Sequence, residues 1–388
     1  MALPLAYSLR NVARRPWRTG MTIVGVAVVV FAAVLMIALS RGLARRVDAT
    51  GEENNLLLIS RKGQNVMFSK VMPDEVVDLT SMPNLAHSDS GTPLISPELM
   101  HVSDVTVDAA SGRKSAPISI RGVEPMAWDV HRSVTVVGGH RPQESFELMV
   151  GVMAHVKMGV RPRELISGRT VRFEGRDWTI CGTFAAESSL LESEFWVRQE
   201  DLLTVMRRRA HSFVVARFKT PADVQAATAL FSKSGAIEKH FKGWPERQYY
   251  RQFTDVFRWV YWLSVLMVIT VTAAGALIGI NTMYTAIISR MDEIATLRIL
   301  GFGKLDITLA ILTESAVICL LGATLAAAAG RLIHNVPMTL TQGVFNLSVD
   351  GVAIAAALAV GLLIGVLGAL IPAIKGLRLS IVEALRYE

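Results

Sequence analysis

The sequence has few cysteines and lacks the short motifs that mark common enzyme and metal-site classes. Its two cysteines, Cys181 and Cys319, are far apart, and Cys319 lies in a strongly apolar stretch, so we expect no internal disulfide. No C-x-x-C, H-E-x-x-H or G-x-S-x-G motif is present. These absences argue against thiol redox proteins, zinc proteases and α/β-hydrolases. We predict no catalytic, cofactor-binding or metal-binding residue.

A Walker A motif is also missing. Gly303-Lys304 is followed by Leu305, and no glycine stands at the required spacing before it. We therefore expect neither ATP hydrolysis nor a bound cofactor on this chain.

The eight histidines are scattered. His131 and His140 flank Gly138-Gly139, which leaves two interpretations, a metal or base role and ordinary loop histidines. The loop interpretation is favoured, because the histidines form no H-E-x-x-H or H-x-x-x-H pair.

Charge is missing from long apolar stretches of a chain that is 51% hydrophobic with a mean hydropathy of +0.39, which indicates a membrane protein. Residues 19–40 would form a helix of about 33 Å, enough to cross the hydrocarbon core. A cleaved signal peptide is the alternative, but the stretch is too long and no A-x-A site follows. The further stretches are 259–289, 307–330 and 351–374. Only the stretch 307–330 is interrupted by a charged residue, Glu314.

Basic residues are unevenly placed around these stretches. The segment before the first span, the 290–306 loop and the tail after residue 374 hold four, three and three Lys or Arg, whereas the 331–350 loop holds only Arg331. The positive-inside rule then places both termini in the cytoplasm and residues 41–258 outside. The net charge of +7 is thus an orientation signal, and we expect no nucleic-acid binding.

These patterns predict a membrane protein with four transmembrane α-helices and a large mixed α/β extracytoplasmic domain between spans 1 and 2. Strand patterns flank Gly175 and occur at 56–59 and 213–219, and a helix is expected to start at Thr220-Pro221 and end at Gly235. The predicted segments are an amphipathic cytoplasmic elbow helix (1–18), span 1 (19–40), the outer domain with stalk helices (41–258), span 2 (259–289), a cytoplasmic loop (290–306), span 3 (307–330), a short outer loop (331–350), span 4 (351–374) and a cytoplasmic tail (375–388).

The cytoplasmic loop has the pattern of a short amphipathic helix. Ile294, Leu297 and Leu300 recur at helical spacing between charged residues. Such a helix next to two spans is expected to place its apolar face in a partner's groove. The alternative is a loop that rests on lipid headgroups.

Two motifs lie in this loop and in the tail. Their residues are Arg290, Glu293, Ile294, Leu297, Arg298, Leu300 and Gly301 in the loop and Glu383, Ala384, Leu385 and Arg386 in the tail. Together they resemble the motifs of the MacB/FtsX/LolC-type (type VII) ABC transporter permeases, and most resemble those of the MacB-like permeases without a fused ATPase domain. The pattern Ile120-Arg-Gly122-Val-Glu-Pro125 in the outer domain is similar to the periplasmic core domain of that family.

The resemblance implies a permease subunit in the bacterial inner membrane whose partners are a separate ABC ATPase and a second permease copy. ATP and Mg²⁺ would be bound by the ATPase, and the 290–301 segment would be the coupling helix. Nucleotide-driven motion would reach the periplasmic domain, which would push substrate into a periplasmic adaptor and outer-membrane channel where these are used. A departure from the family pattern is Ser380-Ile-Val382, which stands where a proline often precedes the tail motif.

Two other functions remain open for the same family. An FtsX-like permease would activate a periplasmic cell-wall hydrolase, and a LolC/E-like permease would release lipoproteins. Nothing in the outer domain identifies the substrate.

Glu314 is the polar candidate inside a span. An acid in this position is either a proton carrier or a structural partner of basic residues near the inner leaflet, and the pairing interpretation is favoured.

Overall fold

The computed structural model describes residues 16–232, 240–256, 258–340 and 343–376, which form two compact units. The helical unit comprises the described residues up to Gly42, Arg258–Val336 and those from Leu347 onward. The α/β unit comprises Leu43–Phe257 and Pro337–Asn346 as far as they are described.

The helices are named here in chain order. They are α1 (Pro16–Asp48), α2 (Pro73–Leu79), α3 (Ala127–Val130), α4 (Ala154–Met158), α5 (Gln199–Val205), α6 (Pro221–Ser232), α7 (Glu246–Val256), α8 (Arg258–Ile288), α9 (Met291–Ile299), α10 (Lys304–Leu332) and α11 (Gly351–Gly376). Short 3₁₀ turns occupy Pro162–Glu164 and Leu190–Ser193.

The strands are β1 (Asn55–Ser60), β2 (Ile95–Ala109), β3 (Gly112–Val123), β4 (Thr135–Gly139), β5 (Glu147–Gly151), β6 (Thr170–Phe173), β7 (Arg176–Ala185), β8 (Phe195–Arg198), β9 (Phe213–Arg217), β10 (Phe241–Pro245), β11 (Pro337–Leu340) and β12 (Gly343–Asn346).

Four helices of the described residues are long and apolar enough to cross a membrane, namely α1, α8, α10 and α11. Three of them contain a predicted span whole, and α8 ends at Ile288, one residue before the predicted end of the second span, so the four-span fold class is confirmed. The helix of the first span continues beyond the predicted end at residue 40 to Asp48, since Arg41, Arg45 and Arg46 end the uncharged stretch but are good helix formers.

Small residues let these helices approach closely. The Cα of Gly368 lies 3.2 Å from where a Cβ on Gly279 would stand, and a Cβ on Gly322 would lie 2.9 Å from the Ile23 carbonyl. Gly361 faces Ala323 in the same way. These glycines therefore lie at contacts between helices, where small residues are needed.

The α/β unit is built on a ten-stranded mixed sheet with the order β10-β1-β9-β2-β3-β8-β5-β7-β4, while β6 pairs with β2 and β7. The β3–β8 and β5–β7 pairs are parallel. The predicted hairpin is β6–β7, where Glu174 and Gly175 both have positive φ, as a two-residue type I′ turn requires. The predicted strands at 56–59 and 213–219 are β1 and β9, although β9 ends at Arg217.

The predicted start of α6 is also confirmed. The Thr220 N–H donates to the Asp223 carboxylate, and the Asp223 N–H donates to the Thr220 hydroxyl, which is a capping box. The predicted end at Gly235 lies outside the described residues.

The predicted short outer loop at 331–350 contains two strands that the sequence analysis did not predict. Strands β11 and β12 form an antiparallel hairpin that belongs to the α/β unit. A Cβ on Gly343 would lie 3.1 Å from the side chains of Leu190 and Ser193, so this hairpin packs on the second 3₁₀ turn. The sequence pattern missed the contact because the two partners are some 150 residues apart in the chain.

Gly361→Ala tests the close packing of α10 and α11. The added Cβ would stand 2.5 Å from that of Ala323, so one helix must shift, and we expect a loss of about 1–3 kcal/mol in unfolding free energy. The measurement is thermal unfolding of the purified chain in detergent. Gly25→Ala in α1 is the matched control, because nothing lies within 4 Å of its added Cβ. Equal midpoints for the two variants would contradict the packing argument.

Candidate functional site

The predicted coupling segment is a short helix with defined ends. Helix α9 carries Asp292 and Glu293 in its first turn and Arg298 in its last, an order that complements the helix dipole. Gly301 has a φ of +93°, the left-handed conformation that a side chain disfavours. The Phe302 N–H donates to the Leu297 carbonyl at 3.1 Å and the Gly301 N–H to the Arg298 carbonyl at 3.2 Å, which together form a Schellman motif.

The apolar residues of this segment do not share one free face, contrary to the prediction. Ile294 and Leu297 are half-buried and line a small pocket with Ile287 and Ile311 of the neighbouring helices. Ile299 and Leu300, in contrast, are 69% and 68% exposed. Helical spacing alone could not tell which side packs on the chain's own helices.

Arg290, the residue before α9, forms an ion pair with Glu314 on α10. The Arg290 guanidinium donates to both carboxylate oxygens of Glu314, at 3.1 and 3.2 Å, and both side chains are mostly buried. This contact agrees with the predicted pairing of Glu314 with a basic residue near the inner leaflet. The pair ties the turn before α9 to α10.

The other residues of the predicted site are less informative. Glu293 is exposed and Arg298 is half-buried. The tail motif, Glu383, Ala384, Leu385 and Arg386, and most of the elbow helix lie outside the described residues.

A double-mutant cycle tests the Arg290–Glu314 pair. Arg290→Gln and Glu314→Gln should each lower the thermal midpoint of the purified chain, and the double variant should lose less than the sum, by about 0.5–3 kcal/mol. The same cycle with Asp292→Asn, an exposed carboxylate two residues from Arg290, is the control. Additive losses for Arg290 and Glu314 would show that the two residues do not act as a pair.

A buried ionic network in the α/β unit was not predicted from the sequence. Its centre is Arg121 on β3, which is fully buried. Its guanidinium contacts Glu98 on β2 at 2.6 Å and binds both carboxylate oxygens of Glu194 at 2.7 and 3.0 Å. It also donates to the Tyr250 hydroxyl on α7 at 3.2 Å. Loss of one partner from such a buried arrangement costs about 3–5 kcal/mol, because a charge is left unpaired.

His131 extends this network to the start of α7. Its Nε2 lies 2.6 Å from Glu98 Oε1 and its Nδ1 lies 3.6 Å from Glu246 Oε1, so that carboxylates face both ring nitrogens. The other oxygen of Glu246 accepts the Glu52 N–H and the Asn55 side-chain amide. The interpretation of His131 as an ordinary loop histidine is therefore wrong. The sequence analysis missed the buried contacts of His131 because Glu98 and Glu246 are far from it in the chain.

The end of α1 is fixed to the same sheet. Arg217 on β9 pairs with Glu52, just after α1, and donates to the Val130 carbonyl at 2.9 Å. In the last turns of α1, Arg46 makes a buried ion pair with Glu192 at 2.9 Å. The network thus holds both the end of α1 and the start of α7.

The network shifts the pKa values of its members. Burial alone would raise the pKa of the Glu98 carboxyl, but the charges and hydrogen bonds of His131 and Arg121 outweigh it and lower the pKa to about 2. Burial alone would lower the pKa of His131, but Glu98 and Glu246 outweigh it and raise that pKa. The ionised carboxylate and the imidazolium are both favoured in the folded protein.

The network predicts how stability changes with pH. Because the pKa of folded His131 is raised, its contribution is complete below its ordinary value of 6.5 and is lost as pH rises through the folded pKa. Glu98 contributes fully above 4.5, and its contribution is lost as pH falls towards 2. We expect the difference in thermal midpoint between the original chain and His131→Gln to shrink from pH 6 to pH 9. A difference that stays constant would contradict the raised pKa, and His240→Gln, an exposed histidine, is the control.

Two family models match this chain. The model described as MacB-like periplasmic core domain matches residues 19–233, more than half of the chain. The model described as FtsX-like permease C-terminal matches residues 264–381.

Curated relatives agree with these matches. The macrolide export ATP-binding/permease protein MacB of Shewanella sp. (strain W3-18-1) is 24% identical over an alignment of 398 positions, gaps included, that covers 96% of this chain and 58% of that protein. MacB of Shewanella oneidensis is 35% identical over 127 residues, 32% of this chain and 19% of that protein. The chain thus spans less than two thirds of the length of the curated relatives that it matches.

Two solved structures are also similar to this chain. The periplasmic region of MacB from Actinobacillus actinomycetemcomitans covers 52% of this chain and 92% of its own length, at 12% identity and a TM-score of 0.36. The extracellular domain of the ABC-type transporter YknZ from Gram-positive bacteria covers 49% of this chain and 100% of its own length, at 10% identity and a TM-score of 0.36.

Proposed function

Because the chain belongs to the family of multi-pass permeases with a MacB-like periplasmic core domain and an FtsX-like C-terminal region, we propose that it is the permease subunit of a MacB-type ABC transporter. In this proposal it lies in the bacterial inner membrane with both termini in the cytoplasm. A separate ATPase subunit binds ATP and Mg²⁺ and hydrolyses the nucleotide. The permease transmits the resulting motion to its periplasmic domain, which extrudes substrate.

The observation that carries the proposal is the pair of exposed apolar side chains at the end of α9. Ile299 and Leu300 lie next to the left-handed Gly301, on a segment that the Arg290–Glu314 pair anchors. A partner's apolar groove would remove both side chains from water, which supports an ATPase docking site here. At about 25 cal/mol per Å², burial of two such side chains contributes a few kcal/mol of binding free energy.

In this proposal, the buried ionic network is the place where motion of the helices reaches the periplasmic domain. Helix α1 runs without interruption from Pro16 to Asp48, and the chain returns through α7 and α8. Arg46, Glu52, Glu246 and Tyr250 fix both connections to the sheet. Because buried ion pairs and hydrogen bonds hold both connections to the sheet, motion that reaches these connections would move the sheet with them.

The wider assembly is part of the same proposal. A second permease copy forms a homodimer, and the matched MacB proteins are named for macrolide export, which supports extrusion as the outcome. A periplasmic adaptor and an outer-membrane channel would then receive the substrate.

Leu300→Glu tests the docking role of α9. We expect the ATPase that co-purifies with the tagged chain to be recovered at least about tenfold less well, because a buried contact becomes charged and each factor of ten in affinity is about 1.4 kcal/mol. Leu332→Glu is the matched control, since Leu332 is also an exposed leucine but lies at the last residue of α10, away from α9. Both variants should insert into the membrane at the original level. Undiminished recovery of the ATPase with Leu300→Glu would remove the coupling role from this segment.

A further inference from the structure

We propose that His140, Glu147 and Cys181 bind a divalent zinc ion on the α/β unit, a property that goes beyond the proposed transport role. The three residues come from the end of β4, the start of β5 and the middle of β7. Strands β4 and β5 both pair with β7 in the sheet. The topology therefore assembles a ligand set that is dispersed over some 40 residues of sequence, where no local motif predicts a metal site.

The ligand atoms are already near one another. The His140 and Cys181 donor atoms and a Glu147 carboxylate oxygen all lie within 4.8 Å of one another, and His140 Nε2 lies 4.0 Å from Glu147 Oε1. Zinc bond lengths of about 2.0–2.3 Å require ligand separations of roughly 3.3–3.8 Å. A contraction of about 1 Å is needed. The His140 side chain, which is 53% exposed, has room to make it.

The imidazole of His140 is oriented as in metal sites. Its Nδ1–H donates to the Arg141 carbonyl at 2.9 Å. This bond leaves the lone pair of Nε2 free and directed to the Glu147 side. Ligating histidines commonly donate their second ring N–H to a carbonyl or carboxylate in this way.

The two oxygens of the Glu147 carboxylate have different roles: one accepts backbone hydrogen bonds, and the other is proposed to bind the metal. Oε2 accepts the N–H groups of Gln143 and Glu144 at 2.8 and 2.9 Å, which holds the carboxylate in place. Oε1 faces His140 and is the oxygen available to the metal.

Cys181 lies at a register shift between β5 and β7, so that it has no directly opposite residue on β5. Leu148 lies opposite Ile180 and Met149 opposite Gly182, so the β5–β7 register passes over Cys181. Bulges of this kind redirect side chains and are frequent near functional sites. The thiol donates to the carbonyls of His140 and Leu148 at 3.3 and 3.2 Å.

The backbone holds the His140 segment tightly over Cys181. Gly139 has a φ of +77°, and a Cβ there would lie 2.1 Å from the Cys181 carbonyl oxygen. A Cβ on Gly182 would lie 2.6 Å from the Gly138 carbonyl oxygen. The His140 N–H donates back to the Cys181 carbonyl at 3.1 Å. Only glycines allow this approach, which brings the imidazole and the thiol together.

The donor set selects the class of metal. One nitrogen, one carboxylate oxygen and one sulfur suit Zn²⁺ and similar late transition ions, whereas Ca²⁺ and Mg²⁺ require oxygen ligands. Three protein ligands leave the fourth tetrahedral position for water on the exposed His140 side. Burial and the Glu147 carboxylate raise the pKa of the Cys181 thiol to about 12, so the metal must displace the thiol proton, which passes to water as the metal–sulfur bond forms. The sequence-based expectation of no metal site is revised by this arrangement.

The test is a Co²⁺ titration of the full-length chain in detergent after treatment with a chelator. We expect one Co²⁺ per chain with a thiolate-to-cobalt charge-transfer band in the near ultraviolet, and displacement of that band by Zn²⁺. Cys181→Ser should abolish the band, while Cys319→Ser, which alters the other buried thiol, should retain it. His140→Ala should weaken binding at least about tenfold.

Two results would overturn the proposal, and neither depends on a variant that might fail to fold. One is Co²⁺ bound to the original chain without a charge-transfer band, or no binding at all. The other is unchanged affinity in His140→Ala, a substitution of a side chain that is half exposed. His240→Ala removes another exposed histidine next to a glutamate and is the matched control, for which we expect no change in affinity.

Discussion

The organisation of the α/β unit depends on the burial of the Arg121 guanidinium between two carboxylates. A guanidinium and carboxylates without water are stable only when each has a charged partner and its hydrogen bonds are satisfied. Glu98 and Glu194 meet that requirement from β2 and from the residue before β8. When the imidazole of His131 is protonated, its positive charge also faces the carboxylate of Glu246 at the start of α7. Strands and connections distant in sequence are therefore held in one arrangement, because any displacement would leave a buried charge unpaired.

The helical unit satisfies a different constraint. Its helices gain no hydrophobic driving force from one another in lipid, so their association depends on close van der Waals contact. Gly279, Gly361 and Gly365 supply that contact against α10 and α11. The Arg290–Glu314 pair then sets the position of α9, which has few contacts of its own. The result is a short, anchored helix whose last apolar residues remain outside the core, as an attachment point for another protein requires.

The parts of the structure that the sequence predicted are those governed by local composition. The four spans follow from uncharged runs such as 259–289, and the β6–β7 hairpin and the α6 cap follow from turn and capping residues at fixed offsets. The parts that it missed depend on contacts between distant residues. Arg121 and Tyr250 are 129 positions apart, and a strand pattern cannot tell a buried arginine from an exposed one. For the same reason the spacing of Ile294, Leu297 and Leu300 predicted a helix but assigned Ile294 and Leu297 to the wrong surface. The hairpin β11–β12 was missed because its packing partner is distant in the chain.

The central claim is that the end of α1 and the start of α7 move as one body with the sheet. Asp48 on α1 and Arg251 on α7 are exposed, and Arg251 Nε lies 2.8 Å from Asp48 Oδ1. Cysteines at these two positions can be joined by a short hydrophilic bis-maleimide, while both native thiols are buried. The measurement is ATP turnover of the complex with its ATPase before and after cross-linking. The account predicts unchanged turnover, because the cross-link joins parts that do not separate. Turnover that stops on cross-linking and returns when a cleavable linker is cut would contradict it.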